Sequence, residues 1–559
     1  MNRIIALLVA ATLAAPMPAQ QKQNAEPEMP KLVDVVDVRV INVDVVVTDR
    51  KGNFVSGLTK DDFEVLENGT PKTISNFYEV EGPRAKGLVA GEVGGKVEAP
   101  VAPAPVQSEE MKRRIIFYID NLSLAPFNRN RVFSQMKEFI HTVMRPGDEA
   151  MVATYNRSMK VRVPFTRDAA QVESILDTIA RESGMGIANR SERKQFEDRI
   201  RDARSYEDAV TSARTYASSV EHDLRNSVAS LNALLGTLAG VEGKKILVLT
   251  SEGFPIQPGR ELFLFIDEIA REKQWSGAST ILEGMTYDGT SLVQSVAKTA
   301  NANDITLYTI HAAGLTGGSE VSAENARPIP PMVSHAAAQN TIESMQMMAD
   351  MTGGIASTNT NNFADAFKRI HRDLEAYYSI GYRAGTERVD RQRYLNVRTK
   401  NRDYRVRARQ TFVEKSLHTE MGDRVIANLL YRVKDNDLGI IARVGAPVPV
   451  EDGLFRVAID VQIPMTQLTM LPQGETEFAG GFDVYVVVGN RDNDMSDVAR
   501  KSHQIRITAD QMKTIQNKHY TYTLELLIEK GLNRISVGVA DQISNTTGFA
   551  REQIIAQNR

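Results

Sequence analysis

Four short, nearly unbroken apolar runs set the strongest limit on how this chain folds. They are "IIFYI" ending at Ile119, "AMVATY" ending at Tyr155, "ILVLT" ending at Thr250 and "ITLYTI" ending at Ile310. A strand that is apolar on both sides has no face for water, so each run belongs inside a sheet covered on both faces. That arrangement is met by parallel strands joined by crossover helices. The segments between them fit: "RNRVFSQMKEFIHTVM" and "FADAFKRIHRDLEAYYS" carry apolar residues at helical spacing. "EAMVATYN" and "KVRVPFT" are too close for a crossover helix, which predicts one antiparallel hairpin at the sheet edge.

Residues 190 to about 238 are charged and free of proline, with Phe196, Ile200, Tyr206, Val210, Tyr216, Val220, Leu224, Val228, Leu231 and Leu235 recurring at three-, four- and six-residue steps. This predicts one or two helices longer than the sheet needs for cover, with a solvated face. "MQMMADM" at 345–351 reads as a helix face packed on the sheet. Gly353 and Gly354 then supply a tight helix-to-strand turn.

On either side the period changes from helical to alternating. Residues 32–81 alternate apolar and polar residues with turns at Asp49 to Gly52 and at Asn68 to Gly69, the pattern of a small antiparallel β domain. Residues 82–112, rich in Gly, Pro and Ala, read as a flexible linker. Residues 113–385 hold the α/β domain and 386–419 a β connector, in which Arg405, Arg407 and Arg409 alternate with Val406 and Ala408 as a strand with a solvated basic face. Residues 420–559 carry alternating strands and predict an immunoglobulin-like β-sandwich. "NRDNDMSD" at 490–497 reads as a hairpin loop of that sandwich rather than a calcium loop, since it lacks the glycine and terminal glutamate of the helix-loop-helix form.

Composition narrows the function. Lys+Arg 67 against Asp+Glu 70 gives a formal charge of −3, which provides no global field for nucleic acid. Asn2 and Arg3 precede an apolar run from Ile4 to Ala15, the plan of a signal peptide over residues 1–19. No later segment is apolar for long enough to span a bilayer, so the expected location is the periplasm, cell envelope or extracellular space. The absence of cysteine removes disulfides and thiolate sites, and the eight histidines show no close ligand spacing. Neither a phosphate-loop spacing nor Gly-x-Ser-x-Gly occurs, and no enzyme is expected.

Four phrases, in this order, resemble the bacterial von Willebrand factor A-related domain proteins: "VVVTDRKGNFVSGLTKDDFEVLENGTPKTISNF", "IIFYIDNLSL", "KKILVLTSEGFP" and "DMTGGIASTNTNNFADAFKRIHRDLEAYYSIGYRAG". The resemblance implies an α/β plus all-β chain: a doubly wound von Willebrand A-like (Rossmann-like) domain between the small N-terminal β domain and the C-terminal β-sandwich. It also implies a metal-ion-dependent adhesion site, in which an Asp-x-Ser-x-Ser loop, a threonine and a later acid hold a divalent cation that takes a carboxylate from a partner. Asp120 matches the aspartate, but Leu122 and Leu124 stand at the two serine positions, and no threonine counterpart is found. The oxygen ligands left for Mg2+ or Mn2+ are Asp120, Ser123, Ser251 and Glu252, with Asn121, Leu122, Leu124, Gly253 and Phe254 beside them as binding residues. Alternatively, Asp120 only caps the loop or the following helix. The expected function is a secreted or periplasmic adhesion-type protein that binds a protein partner through a degenerate metal site. The alternative is a metal-independent scaffold of the cell envelope.

Overall fold

The computed structural model describes residues 40–82, 84–87, 112–277, 279–315, 329–383, 389–432, 435–474, 476–515 and 518–557. The leader expected at 1–19, the start of the 32–81 domain and nearly all of the 82–112 linker lie outside the described residues. Two compact units are present, one built from residues 38–236 and 242–414, the other chiefly from 415–559.

In the first unit the four apolar runs become neighbouring strands. β1 (Arg113–Asp120), β2 (Glu149–Tyr155), β3 (Met159–Thr166), β4 (Lys244–Ser251), β5 (Ile305–His311) and β6 (Ala356–Ser357) form one sheet in the order β3-β2-β1-β4-β5-β6. All its pairs are parallel except β2 with β3, the edge hairpin expected from the short "RSM" connection. The order reverses between β1 and β4. Their crossovers leave on opposite faces, which makes the carboxyl ends of these two strands the switch point of the sheet.

Helices cover both faces. α1 (Pro126–Val143) and α2 (Ala169–Arg181) pack Val132, Phe133, Met136, Val172 and Leu176 onto Ile115, Phe117 and Ile119. α3 (Gly186–Asp202) and α4 (Tyr206–Thr237) are the long charged stretch, broken into two helices at Ala203 to Ser205. With α5 (Arg260–Glu272), α3 and the first half of α4 build a separate small core around Phe196, Ile200, Tyr216, Phe263 and Ile266. The extra length is therefore buried on helices rather than on the sheet. α6 (Thr290–Ala302) and α7 (Pro331–Thr352) cover β5, where Met345 and Met348 are buried as their spacing predicts. Gly353, at φ +79°, ends α7, and a Cβ on Gly354 would lie 1.9 Å from the Leu307 carbonyl oxygen, so only glycine fits there. α8 (Phe363–Glu375) closes the layer that holds α1 and α2.

Strands of 40–81 pair with strands of 376–413 rather than only with one another. Val40–Thr48 lies beside Ala376–Arg383, and Phe63–Glu67 beside Gln392–Thr399. The two resulting sheets enclose Val45, Phe63, Phe77, Tyr378, Ile380 and Phe412. Sequence alternation sees which face of a strand is apolar but not its partner, so it cannot reveal pairing across more than 300 residues.

The arginine strand is also different from its expected form. Arg407 does not face water: its two terminal nitrogens donate to the two carboxylate oxygens of Asp373, each at 2.7 Å, and the Tyr308 hydroxyl reaches the same carboxylate at 3.2 Å. Arg409 is half-buried, paired with Asp304 and donating to the Asn42 carbonyl. Val406 and Ala408 pack on the β core, and of the three arginines only Arg405 is exposed.

In the second unit two antiparallel sheets, one centred on Phe455–Pro464 and one on Glu477–Gly489, enclose Val457, Ile459, Phe482, Val486, Leu524 and Val537. Residues 490–497 join the strands Glu477–Gly489 and Ala499–Thr508 as a hairpin loop. A helix not expected from the sequence, Leu417–Tyr431, sets Met421, Val425 and Leu429 against Tyr485, Val487 and Phe549 on the outer face of the second sheet.

Removing one member of the Arg407–Asp373 pair leaves a buried charge unmatched. Arg407→Ala or Asp373→Ala should each lower stability by about 3–5 kcal/mol. The joint Arg407→Met, Asp373→Leu variant should lose far less, as read by urea denaturation of all three proteins.

Candidate functional site

The row of side chains at the carboxyl edge starts from strand register. Asp120 ends β1 opposite Tyr155, Ser251 ends β4 opposite His311, and the pairing of Ile119 with Thr250 sets Asp120 beside Ser251. Asp120 is 2% exposed and Ser251 0%, so the carboxylate must find its partners within the protein.

It finds four. The Leu122 and Ser123 amides donate to Oδ1 at 3.2 and 3.4 Å, and the hydroxyls of Ser123 and Ser251 both reach Oδ2 at 2.7 Å. The hydroxyls are themselves engaged as acceptors, Ser123 from the Glu252 amide at 3.0 Å and Ser251 from the Gly253 amide at 2.9 Å. Burial raises the Asp120 pKa above the usual carboxylate range, and the two serine hydroxyls oppose that shift. One strand along, His311 is held toward its neutral form by burial, against the pull of the Glu252 charge.

Glu252 points elsewhere. Its Oε1 accepts from the Ala125 amide at 2.8 Å and from Asn128 Nδ2 at 3.0 Å, so it caps the start of α1, where a negative charge is favoured. Its Oε2 takes Arg190 Nη2 from α3 at 2.6 Å. The Arg190 side chain is half-exposed.

The loops around the row are fixed from above. The Met185 amide donates to the Asn121 carbonyl and the Gly186 amide to the Leu124 carbonyl. A Cβ on Gly186 would lie 2.4 Å from the Ser123 oxygen, so the start of α3 rests directly on this loop. On the other side Asn340 of α7 exchanges two 2.7 Å bonds with the Gln257 backbone, and Ser344 accepts from the Phe254 amide at 3.1 Å.

The oxygens of Asp120, Ser123 and Ser251 lie 2.7–2.9 Å apart, close to the roughly 2.9 Å expected between adjacent ligands of a magnesium ion. In every other respect the residues do not fit a bound metal. Both hydroxyl protons are directed into the cluster and both hydroxyls accept amides. Glu252 is turned onto α1 and Arg190, and a second cation beside that guanidinium would meet like charge. Among the described residues no group of three or more His, Asp or Glu side chains converges on a metal-sized space.

The side chains expected to touch a partner are buried. Leu122 is 6% exposed and Leu124 0%, both packed inward. The Asn121 side chain accepts from Arg129 at 2.9 Å, and Gly253 and Phe254 lie under α7. The exposed groups at this edge are ones the sequence reading passed over: Phe127, Ile187 and Leu315, together with Arg190. Arg131 links two of them, lying over the Phe127 ring and donating to Asn361, which also accepts from the Leu315 amide.

Arg129 was missed too, although it left a signal. It falls on the buried stripe of α1 with Val132, Phe133 and Met136, a position where arginine needs a reason. It is 0% exposed and donates to the carbonyls of Ala180 and Glu182, closing the carboxyl end of α2.

No family model and no curated protein matches the chain. Solved structures that match include an aerotolerance-related membrane protein from Bacteroides fragilis, at 10% identity over 47% of this chain and 98% of that one, with a TM-score of 0.24. The manganese-loaded TRAP protein of Plasmodium vivax matches at 10% identity over 55% and 95%, TM-score 0.21. The pilus adhesin SpaC of Lactobacillus rhamnosus GG matches at 9% identity over 88% and 70%, TM-score 0.24. Likenesses at these scores carry nothing about what this chain binds.

Because the folded state raises the Asp120 pKa, the stability linked to this group is full below the unfolded carboxylate pKa and is lost as pH rises through the folded value. Asp120→Asn cannot titrate. Its urea midpoint should therefore gain on that of the native protein between about pH 4 and pH 7. A difference that stays flat over that interval would remove the buried charge from this account.

Proposed function

We propose that the chain is a non-catalytic, adhesion-type protein that recognises a protein partner at the carboxyl edge of its central sheet without a resident metal. One observation carries this reading: the acid at the switch point, Glu252, is held by Arg190 and by the start of α1. A guanidinium thereby supplies the positive charge that a bound cation would bring to such an edge. The exposed Phe127, Ile187 and Leu315 around it give the surface large apolar anchors, the residue chemistry on which protein interfaces depend. Ser251 gives its hydroxyl proton to Asp120. Ser251 is also fully buried and accepts from the Gly253 amide, so its oxygen is committed to the loop and not presented to a substrate.

Location in the cell envelope or outside the cell belongs to the same proposal and is supported by the apolar run at Ile4 to Ala15. No helix among the described residues is long and apolar enough to cross a membrane.

Two experiments on the full chain test the reading together. Calorimetric titration with magnesium or manganese to millimolar concentration should give no saturable heat, and chelation should leave the thermal midpoint unchanged. A partner captured by the protein in the presence of chelator should bind at least ten-fold more weakly to the Phe127→Asp, Ile187→Asp variant, since a central apolar anchor contributes more than about 1 kcal/mol. Saturable manganese binding that is abolished by Ser123→Ala, or capture that requires manganese, would return the site to metal-dependent adhesion.

A further inference from the structure

The β-sandwich unit carries a second surface with its own chemistry. The strand Ala499–Thr508 pairs with Glu477–Gly489 on one side and, among the described residues, with no strand on the other. In an edge strand of ten residues every second amide and carbonyl points outward unpaired, a template for a further strand. Beside this edge the two sheets part, leaving a groove of about 290 Å³ lined by Met465, Ile505, Ile507, Ile515 and Tyr520, with Arg506, Lys518 and His519 at its rim.

Charge selects what can fill it. Arg506 and Lys518 are exposed, and neither is paired with an acid among the described residues. The residue across from Arg506 on the neighbouring strand is Ala479. Basic residues on an edge strand normally keep other strands away. They do so by repulsion and desolvation, which an acidic partner converts into attraction.

We infer that the Ala499–Thr508 edge takes up an extended, acidic polypeptide segment by strand addition. Alternate apolar side chains of the incoming strand would cover Ile505 and Ile507 in the groove, and its acidic side chains would lie beside Arg506 and Lys518. An anionic lipid offers the same charge but cannot satisfy the outward row of amides and carbonyls, so the polypeptide is the occupant that meets both features.

The test uses the full chain with two fluorescent decapeptides, one alternating valine with aspartate and one alternating valine with lysine. The acidic peptide should bind saturably, at least ten-fold more tightly than the basic one, and should slow hydrogen exchange at amides of residues 499–508. The Arg506→Glu, Lys518→Glu variant replaces only exposed side chains, so it should keep its thermal midpoint and lose at least ten-fold in affinity. No binding, equal binding of both peptides, or binding without protection of 499–508 would overturn the proposal. Charge-dependent binding of phosphatidylglycerol vesicles in place of the peptide would overturn it as well, and would point to a lipid surface.

Discussion

A carboxylate at the end of a strand buried on both faces has to be satisfied from within, and the carboxyl edge of the central sheet is arranged around that demand. Asp120 lies where the strand order reverses, between β1 and β4. Its four donors come from its own loop and from Ser251 on the neighbouring strand, so the carboxylate ties the two loops of the switch point to each other. An unpaired charge at this depth would cost several kcal/mol, enough to disorder the loop or force the group to take a proton. The same bonds fix Glu252 by its amide, which places the acid of the second loop over the start of α1.

From that geometry the rest of the edge follows. Glu252 draws Arg190, and with it α3, across the opening. Asn340 and Ser344 of α7 hold the 252–257 loop from the opposite side. A sheet edge that in other doubly wound proteins stands open to a ligand is here crossed by protein groups, with the Asp120 carboxylate matched by four donors. What remains for a partner is the rim: apolar side chains on the first turns of α1 and α3, and the half-exposed Arg190.

Much of the fold was legible in the sequence because apolar runs and helical spacing report burial directly. The parallel strands, the antiparallel hairpin at β2 and β3 and the turn at Asn68–Gly69 all follow from local pattern. The pairing of 40–81 with 376–413 was not legible, since alternation carries no address. Nor was the pairing of Arg407 with Asp373 and of Arg409 with Asp304, because a charged residue on an alternating strand looks solvated until its partner is known. The helix Leu417–Tyr431 had a signal, Met421, Val425 and Leu429 at four-residue steps, that was absorbed into the surrounding strand pattern. At the site, the sequence reading grouped Asp120, Ser123, Ser251 and Glu252; hydrogen bonds join the first three side chains, while the Glu252 carboxylate bonds elsewhere. A carboxylate that caps a helix and one that faces a cation look identical in one dimension, and only the positions of Ala125, Asn128 and Arg190 separate them.

The most direct test of a closed, metal-free edge is hydrogen exchange of the full chain in chelator, followed at the amides of Leu122, Ser123, Ala125, Glu252 and Gly253. All five donate to side-chain oxygens in the folded protein. They should exchange slowly without metal, and manganese should leave their rates unchanged. Fast exchange in chelator, with protection appearing only when manganese is added, would show that a cation and not Arg190 organises this edge, and would contradict the account.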